Sequence, residues 1–206
     1  AVDLPGHGRR AHERRRASVG GYARAVADAM MLAGFDRAIV VGHSMGGVVI
    51  PKVAELVPAR VRHLVFVAAV VLPDGGSLLA TQVPAPARPL LVGLAAAGGG
   101  AVQYPAVVEH ARWMNGLPSG DPRVVAALTR LTPQPFKPWA ERVAMRGFYA
   151  LDVPRTYVRC LRDQAVVPAR AAEYAARLGV APVDLDTDHG PMLSAPDALA
   201  TILARL

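Results

Sequence analysis

The chain predicts an α/β fold: a mostly parallel sheet flanked by helices, with an inserted helical cap. Three observations carry this. Apolar runs at 38–42 and 61–70 have no polar face, as strands covered on both sides require. Segments with helical apolar spacing separate such runs, so strand and helix alternate. Between 73 and 150 that rhythm breaks, and prolines together with Gly98-Gly99-Gly100 punctuate short helical candidates. The predicted organisation is a core of residues 1–72 and 151–206 with a cap of residues 73–150. At 206 residues and 52% hydrophobic content, the chain is long enough to bury a sizeable core.

Taken in order, Val2-Asp3-Leu4-Pro5-Gly6-His7-Gly8 reads as the end of a strand followed by a turn. A helix over 18–34 starts near Ser18, with Ala25, Ala29, Met30, Leu32 and Ala33 on its inner face and Gly34 at its end. The strand at 38–42 leads to a helix over 45–57, stopped near Pro58, and the strand at 61–70 follows. In the cap, 106–114 and 123–131 are the helical candidates, and Trp113, Met114, Leu117, Phe136, Trp139, Phe148 and Tyr149 are expected to form an apolar roof or to hold the cap to the body. The alternating pattern returns with a strand at 155–161, a helix over 168–178, a short strand at 180–185 and a closing helix over 195–206, where Pro196 is tolerated in the first turn.

Composition excludes several classes. A single cysteine allows no intramolecular disulfide, and Cys160 reads as a small buried hydrophobe. The net charge of +7 is concentrated in Arg9, Arg10, Arg14, Arg15 and Arg16, but no aromatic platform flanks them. This argues against nucleic-acid binding and for a solvated segment or one that steers an anionic partner. The apolar run from Leu64 to Leu72 is too short to cross a membrane, and no signal peptide is read, so a cytoplasmic protein is expected.

Residues 42–46, Gly-His-Ser-Met-Gly, form the pattern G-x-S-x-G between a strand and a helix. On so sharp a turn the serine hydroxyl projects above the strand ends, and the small residues Gly42, Gly46 and Gly47 let the chain reverse and the helix pack close. Ser44 is therefore the candidate nucleophile. A hydroxyl needs a base, and the base needs a group that fixes its tautomer. His189 is the late histidine, in a polar loop and followed by a helix; His7, His12, His43, His63 and His110 lie before the serine, inside the turn, in an apolar strand or in the cap. His7 is expected to play a local structural role although its turn can line a pocket. For the acid, Asp163 follows a predicted strand end, whereas Asp152 precedes that strand and Asp188 reads as a loop organiser. Ser44, Asp163 and His189 thus form the expected catalytic triad, with the Met45 N–H as an oxyanion donor. No metal or organic cofactor is required.

The segments DLPGHG (3–8), GHSMGG (42–47), YVRCLRDQAVVP (157–168) and DHGPMLSAP (188–196) resemble the α/β-hydrolase superfamily, in the branch of plant methyl-ester esterases, hydroxynitrile lyases and bacterial relatives. The resemblance covers nearly the whole chain and implies the α/β-hydrolase fold, with nucleophile, acid and base at Ser44, Asp163 and His189. Two departures matter. The opening unit of about 30 residues, whose strand ends in His-Gly and supplies a second oxyanion N–H, is not matched, so the usual first strands are lacking. An unpaired sheet edge would then favour a homodimer. In the lyases a lysine follows the catalytic histidine, whereas this chain has Gly190, as the esterases do. The expected activity is hydrolysis of a small or medium, largely apolar carboxylic ester through an acyl-enzyme. A thioester, amide or lactone substrate, or a catalytically silent binding role, are the alternatives.

Overall fold

A computed structural model describes residues 1–206. Residues 1–4 are not in a strand, contrary to the reading of Val2–Leu4; Asp3 instead accepts from Arg9 Nε at 2.8 Å and caps the turn that follows. Gly8–Arg16 winds as 3-10 turns with no buried residue, which leaves the arginines solvated. Helix α1 (Val19–Leu32) starts where Ser18 Oγ accepts from Gly21 N at 2.9 Å, and it ends before Gly34, whose φ is 68°. Its buried stripe is Val19, Tyr22, Ala23, Ala27 and Met30. Leu32 and Ala33, expected inside, are exposed: Leu32 stands about 200° around the helix from Met30.

Strand β1 (Ala38–His43) passes through the sharp turn into α2 (Gly46–Leu56), and β2 (Val61–Val67) follows. The second strand stops three residues earlier than expected because Ala68, at φ 45°, turns the chain. Residues 68–72 stay buried but run beneath the turn that carries Ser44.

Between β2 and the next strand of the main sheet lie α3 (Leu78–Gln82), α4 (Arg88–Ala97), β3 (Ala101–Val102), α5 (Ala106–Trp113), α6 (Pro122–Leu128), β4 (Gln134–Pro135), α7 (Lys137–Ala140) and α8 (Arg146–Tyr149). None of these elements joins the main sheet. The segment is not purely helical, since β3 and β4 pair antiparallel after Gly98–Gly100 turns the chain out of α4. The remaining elements are β5 (Arg155–Cys160), α9 (Pro168–Arg177), β6 (Pro182–Leu185), α10 (Pro191–Ser194) and α11 (Pro196–Leu203).

The sheet order is β1-β2-β5-β6, parallel throughout, with Val40 opposite Leu64, Phe66 opposite Tyr157 and Cys160 opposite Leu185. Alternate residues serve opposite layers, as a pleated strand dictates. Leu64 and Phe66 pack with Tyr22, Val53 and Tyr174 of α1, α2 and α9. Val65, Val67 and Val158 pack with Leu199, Ile202 and Leu203 of α11. The central strand β2 is covered on both faces, whereas Val41 of β1 and Val183 of β6 are exposed, contrary to the expectation of strand 38–42 as covered on both sides. Because the strands are parallel, their four carboxyl ends lie on one edge, where ligands of such sheets bind. No helix is long and apolar enough to cross a membrane.

Candidate functional site

Ser44 sits at that edge with φ 53°, one of only two non-glycine residues with positive φ. Such a conformation costs of order 1–3 kcal/mol and persists only where its surroundings impose it. Here they do: Ser44 N–H donates to Val67 O at 3.1 Å, and Ser44 O accepts from Val70 N at 3.0 Å and Gly47 N at 3.1 Å. A Cβ on Gly42 would lie 2.7 Å from Gly46 O, and one on Gly47 would lie 2.5 Å from Val70 O, so both close approaches demand glycine. Gly46 has open space around it and makes no such demand. Ser44 borders a cavity of about 450 Å³, and the Met45 N–H donates to no acceptor in the chain.

Adjacent parallel strands carry the other two residues. Asp163 follows β5, and its Oδ1 accepts from Ala165 N at 2.7 Å and Val166 N at 2.8 Å. Its Oδ2 accepts from His189 Nδ1 at 2.8 Å, with Asp163 1% and His189 2% exposed. A carboxylate accepting at Nδ1 places the ring proton there and leaves the Nε2 lone pair free. That nitrogen has no partner in the chain and remains in contact with the cavity, which Ser44, Met45 and His189 all border. The structure therefore brings Asp163 and His189 into direct contact and places Ser44 beside the same cavity, with no hydrogen bond between Ser44 and His189. Catalytic hydrogen bonds are often long before substrate is bound.

The loop carrying His189 is held from two sides. His43 Nε2 donates to the His189 carbonyl at 2.7 Å, and the two rings lie 4.7 Å apart. Burial, followed by the neighbouring His189, pushes His43 down to about 4, so its ring is neutral and its single proton belongs on Nε2. Asp188, expected to organise the loop, accepts from Gly190 N at 3.1 Å and from Ser194 Oγ through Oδ1, and from Gly116 N at 2.7 Å through Oδ2. A Cβ at Gly190 would lie 2.9 Å from Trp113 O, so the position that carries lysine in the lyases is sterically closed here.

The roof is partly as expected. Trp113, Met114, Phe136 and Trp139 line the cavity, joined by Leu91 and Val102. Leu117, Phe148 and Tyr149 do not. Phe148 is buried in the core 6.3 Å from Phe66 with Arg155 stacked over its ring, Tyr149 donates to Leu72 O, and Leu117 O accepts from His110 Nε2 at 2.9 Å. His7 borders the cavity, but both ring nitrogens are committed, to Tyr22 Oη at 3.2 Å and Thr132 Oγ1 at 3.0 Å. His63 is bonded to Thr156 Oγ1 at 2.8 Å. Burial pushes the Cys160 thiol up to about 12. Arg14, Arg15 and Arg16 of the arginine cluster border a separate hollow with Lys137, and neither Ser44 nor His189 touches it. Sequence reasoning did not single out Glu109, which lines the cavity at 5% exposure; one acid on a short amphipathic helix carries no sequence signal of burial.

A family model described as the alpha/beta hydrolase family matches residues 1–202. Two Arabidopsis thaliana proteins, provisionally named chloroplastic methylesterases 15 and 13, are 25% identical over 83% of this chain. The matches cover 41% and 40% of those proteins, so the chain spans about two fifths of the length of these curated relatives. Among solved structures, an extracellular alpha/beta-hydrolase from a Paenibacillus species, described as sharing structural and functional homology with tobacco salicylic acid binding protein 2, superposes with a TM-score of 0.86 at 24% identity, covering 98% of this chain and 84% of that one. A pyrethroid hydrolase superposes with a TM-score of 0.80 at 27% identity, covering 98% of this chain and 83% of that one.

Proposed function

The chain belongs to the alpha/beta hydrolase family, and from that membership we propose that it is a serine esterase acting on a small or medium, largely apolar carboxylic ester. One observation carries the reading: an uncommitted serine hydroxyl on a strained turn shares a cavity with a histidine whose far nitrogen is bonded to a buried carboxylate.

In this reading His189 Nε2 takes the Ser44 proton as Oγ attacks the ester carbonyl, and the imidazolium is stabilised by Asp163. The Met45 N–H, which donates to nothing in the chain, would supply one oxyanion donor. His189 then returns the proton to the departing alcohol, and water, activated by the same nitrogen, releases the acid from Ser44. The apolar roof of Trp113, Phe136 and Trp139 suits an apolar substrate body, and the methylesterase and pyrethroid hydrolase names among the similar proteins favour an ester over an amide or lactone. The compartment proposed is the cytoplasm, where a lone unpaired thiol such as Cys160 is common, although similar proteins carry chloroplastic and extracellular labels.

Hydrolysis of short-chain and aryl p-nitrophenyl esters, with Ser44→Ala beside the parent chain, tests this. Turnover that vanishes in the variant is the expected result. Turnover that survives it overturns the serine mechanism, and tight ester binding without turnover in the parent favours a silent binding protein.

A further inference from the structure

Within the cavity, Glu109 is the anomaly. Its side chain is buried, at 5% exposure for the residue, yet its carboxyl makes no hydrogen bond and no ion pair. Neither oxygen is sealed in protein, and the residue lines the cavity. Burial without a charged partner raises its pKa, consistent with an isolated carboxyl. Among the other polar groups on the wall, His7 is bonded to Tyr22 and Thr132, Gln82 to Tyr174 and Gln134 to Pro135, whereas Tyr104 and Trp113 are unbonded, and Glu109 is the one carboxylate there.

Local structure does not account for it. Glu109 lies in the first turn of α5, where a negative charge is mildly favourable, but that benefit needs no burial. A capping box is closed to it, because the N-cap residue is Pro105, which has no N–H to give. No contact within the fold uses this carboxyl, and it lines the cavity, so its role is sought in what enters there.

We propose that Glu109 is a specificity-determining residue which accepts a hydrogen bond from a hydroxyl or neutral N–H on the substrate, so that the ester has an apolar body with one donor placed away from the scissile carbonyl. This rests on the esterase reading above. A neutral donor fits better than an ammonium group because Arg112 and Arg130, both exposed, line the same cavity and make its mouth positive.

The test uses three pairs of methyl arylpropanoates, each pair differing by hydroxyl against methyl at the ortho, meta or para ring position. Binding is measured by calorimetry to Ser44→Ala, which separates recognition from chemistry. At one ring position the hydroxyl ester should bind about 10- to 100-fold more tightly than its methyl partner. Adding Glu109→Leu should abolish that preference, and Glu109→Gln, which keeps a carbonyl acceptor, should retain part of it. Glu109→Leu should also leave the unfolding midpoint unchanged or raise it, whereas a carboxyl that supports the fold would lower it. Equal or weaker binding of every hydroxyl ester, no measurable binding of any ester, a preference that survives Glu109→Leu, or a lowered midpoint overturns the proposal. Failure of the parent chain to hydrolyse any ester while the binding preference holds would instead overturn the esterase reading and leave the recognition role standing.

Discussion

The sheet body and the segment from 73 to 150 place their polar groups in opposite ways. At the strand ends both carboxylate oxygens of Asp163 and Asp188 and the Nε2 of His43 are bonded to partners in the chain, and the backbone of Ser44 is pinned from both sides. In the inserted segment Glu109 is buried with nothing bonded to it, and Tyr104 and Trp113 meet edge to face with no hydrogen bond from either side chain. On the reading proposed above, the body supplies the reacting groups and the roof supplies the surface that meets the substrate. Changes in the body should therefore act on the reaction itself, and changes in the roof on which molecule reacts.

The largest effect expected is that of Ser44→Ala, which should lower kcat by about 10⁴- to 10⁶-fold while leaving substrate affinity near that of the parent. Asp163→Asn should cost about 10⁴-fold in kcat by favouring the wrong tautomer of His189, and kcat/KM measured across pH reads it. A merely tenfold loss would mean that the 2.8 Å contact does not orient the base.

His43 offers a test of the body read through stability rather than turnover. Its folded pKa of about 4 lies below the ordinary 6.5, so the unfolded chain takes up a proton that the folded chain refuses. Stability is thus unaffected above about pH 6.5 and falls as pH drops towards 4, by about 3 kcal/mol from this residue. Urea unfolding at pH 7, 5.5 and 4 should show the loss, and His43→Gln, which keeps a donor but does not titrate, should reduce it. An unchanged acid limb would show that His43 is not held neutral.

Gly116→Ala is the boundary case, because its Cβ would fall 2.9 Å from the Asp188 carboxylate. About a tenfold loss of kcat is expected if displacement of that carboxylate reaches His189, with KM moving less. The smallest effect belongs to the roof: Trp113→Leu should raise KM by a few-fold and leave kcat and unfolding temperature nearly unchanged. A kcat loss as large as that of Asp163→Asn would erase the distinction between the two regions.

Much of the body was legible because its signals are local. An apolar run without a polar face announces a buried parallel strand, and a glycine-flanked serine after it announces the turn. Asp163 and His189 could be chosen from sequence because each follows a predicted strand, in the order nucleophile, acid, base; the structure adds that β5 and β6 are neighbours. What escaped depends on distant contacts. The premature end of β2 reflects Ala68 turning beneath α2, and the β3–β4 pair joins residues more than thirty positions apart through only two residues each. The bond from His43 to the His189 carbonyl spans 146 positions. Leu32 looked internal by composition, but rotation about the helix axis carried it to the outside.

The Asp188 carboxylate has a consequence that reaches past loop order. With one oxygen on Gly116 and the other on Gly190 and Ser194, it knots the covering over the cavity to the strap that bears the base. One carboxylate thereby ties Gly116 of the inserted segment to the backbone on either side of His189, so the position of the candidate base depends on a contact made outside the sheet body.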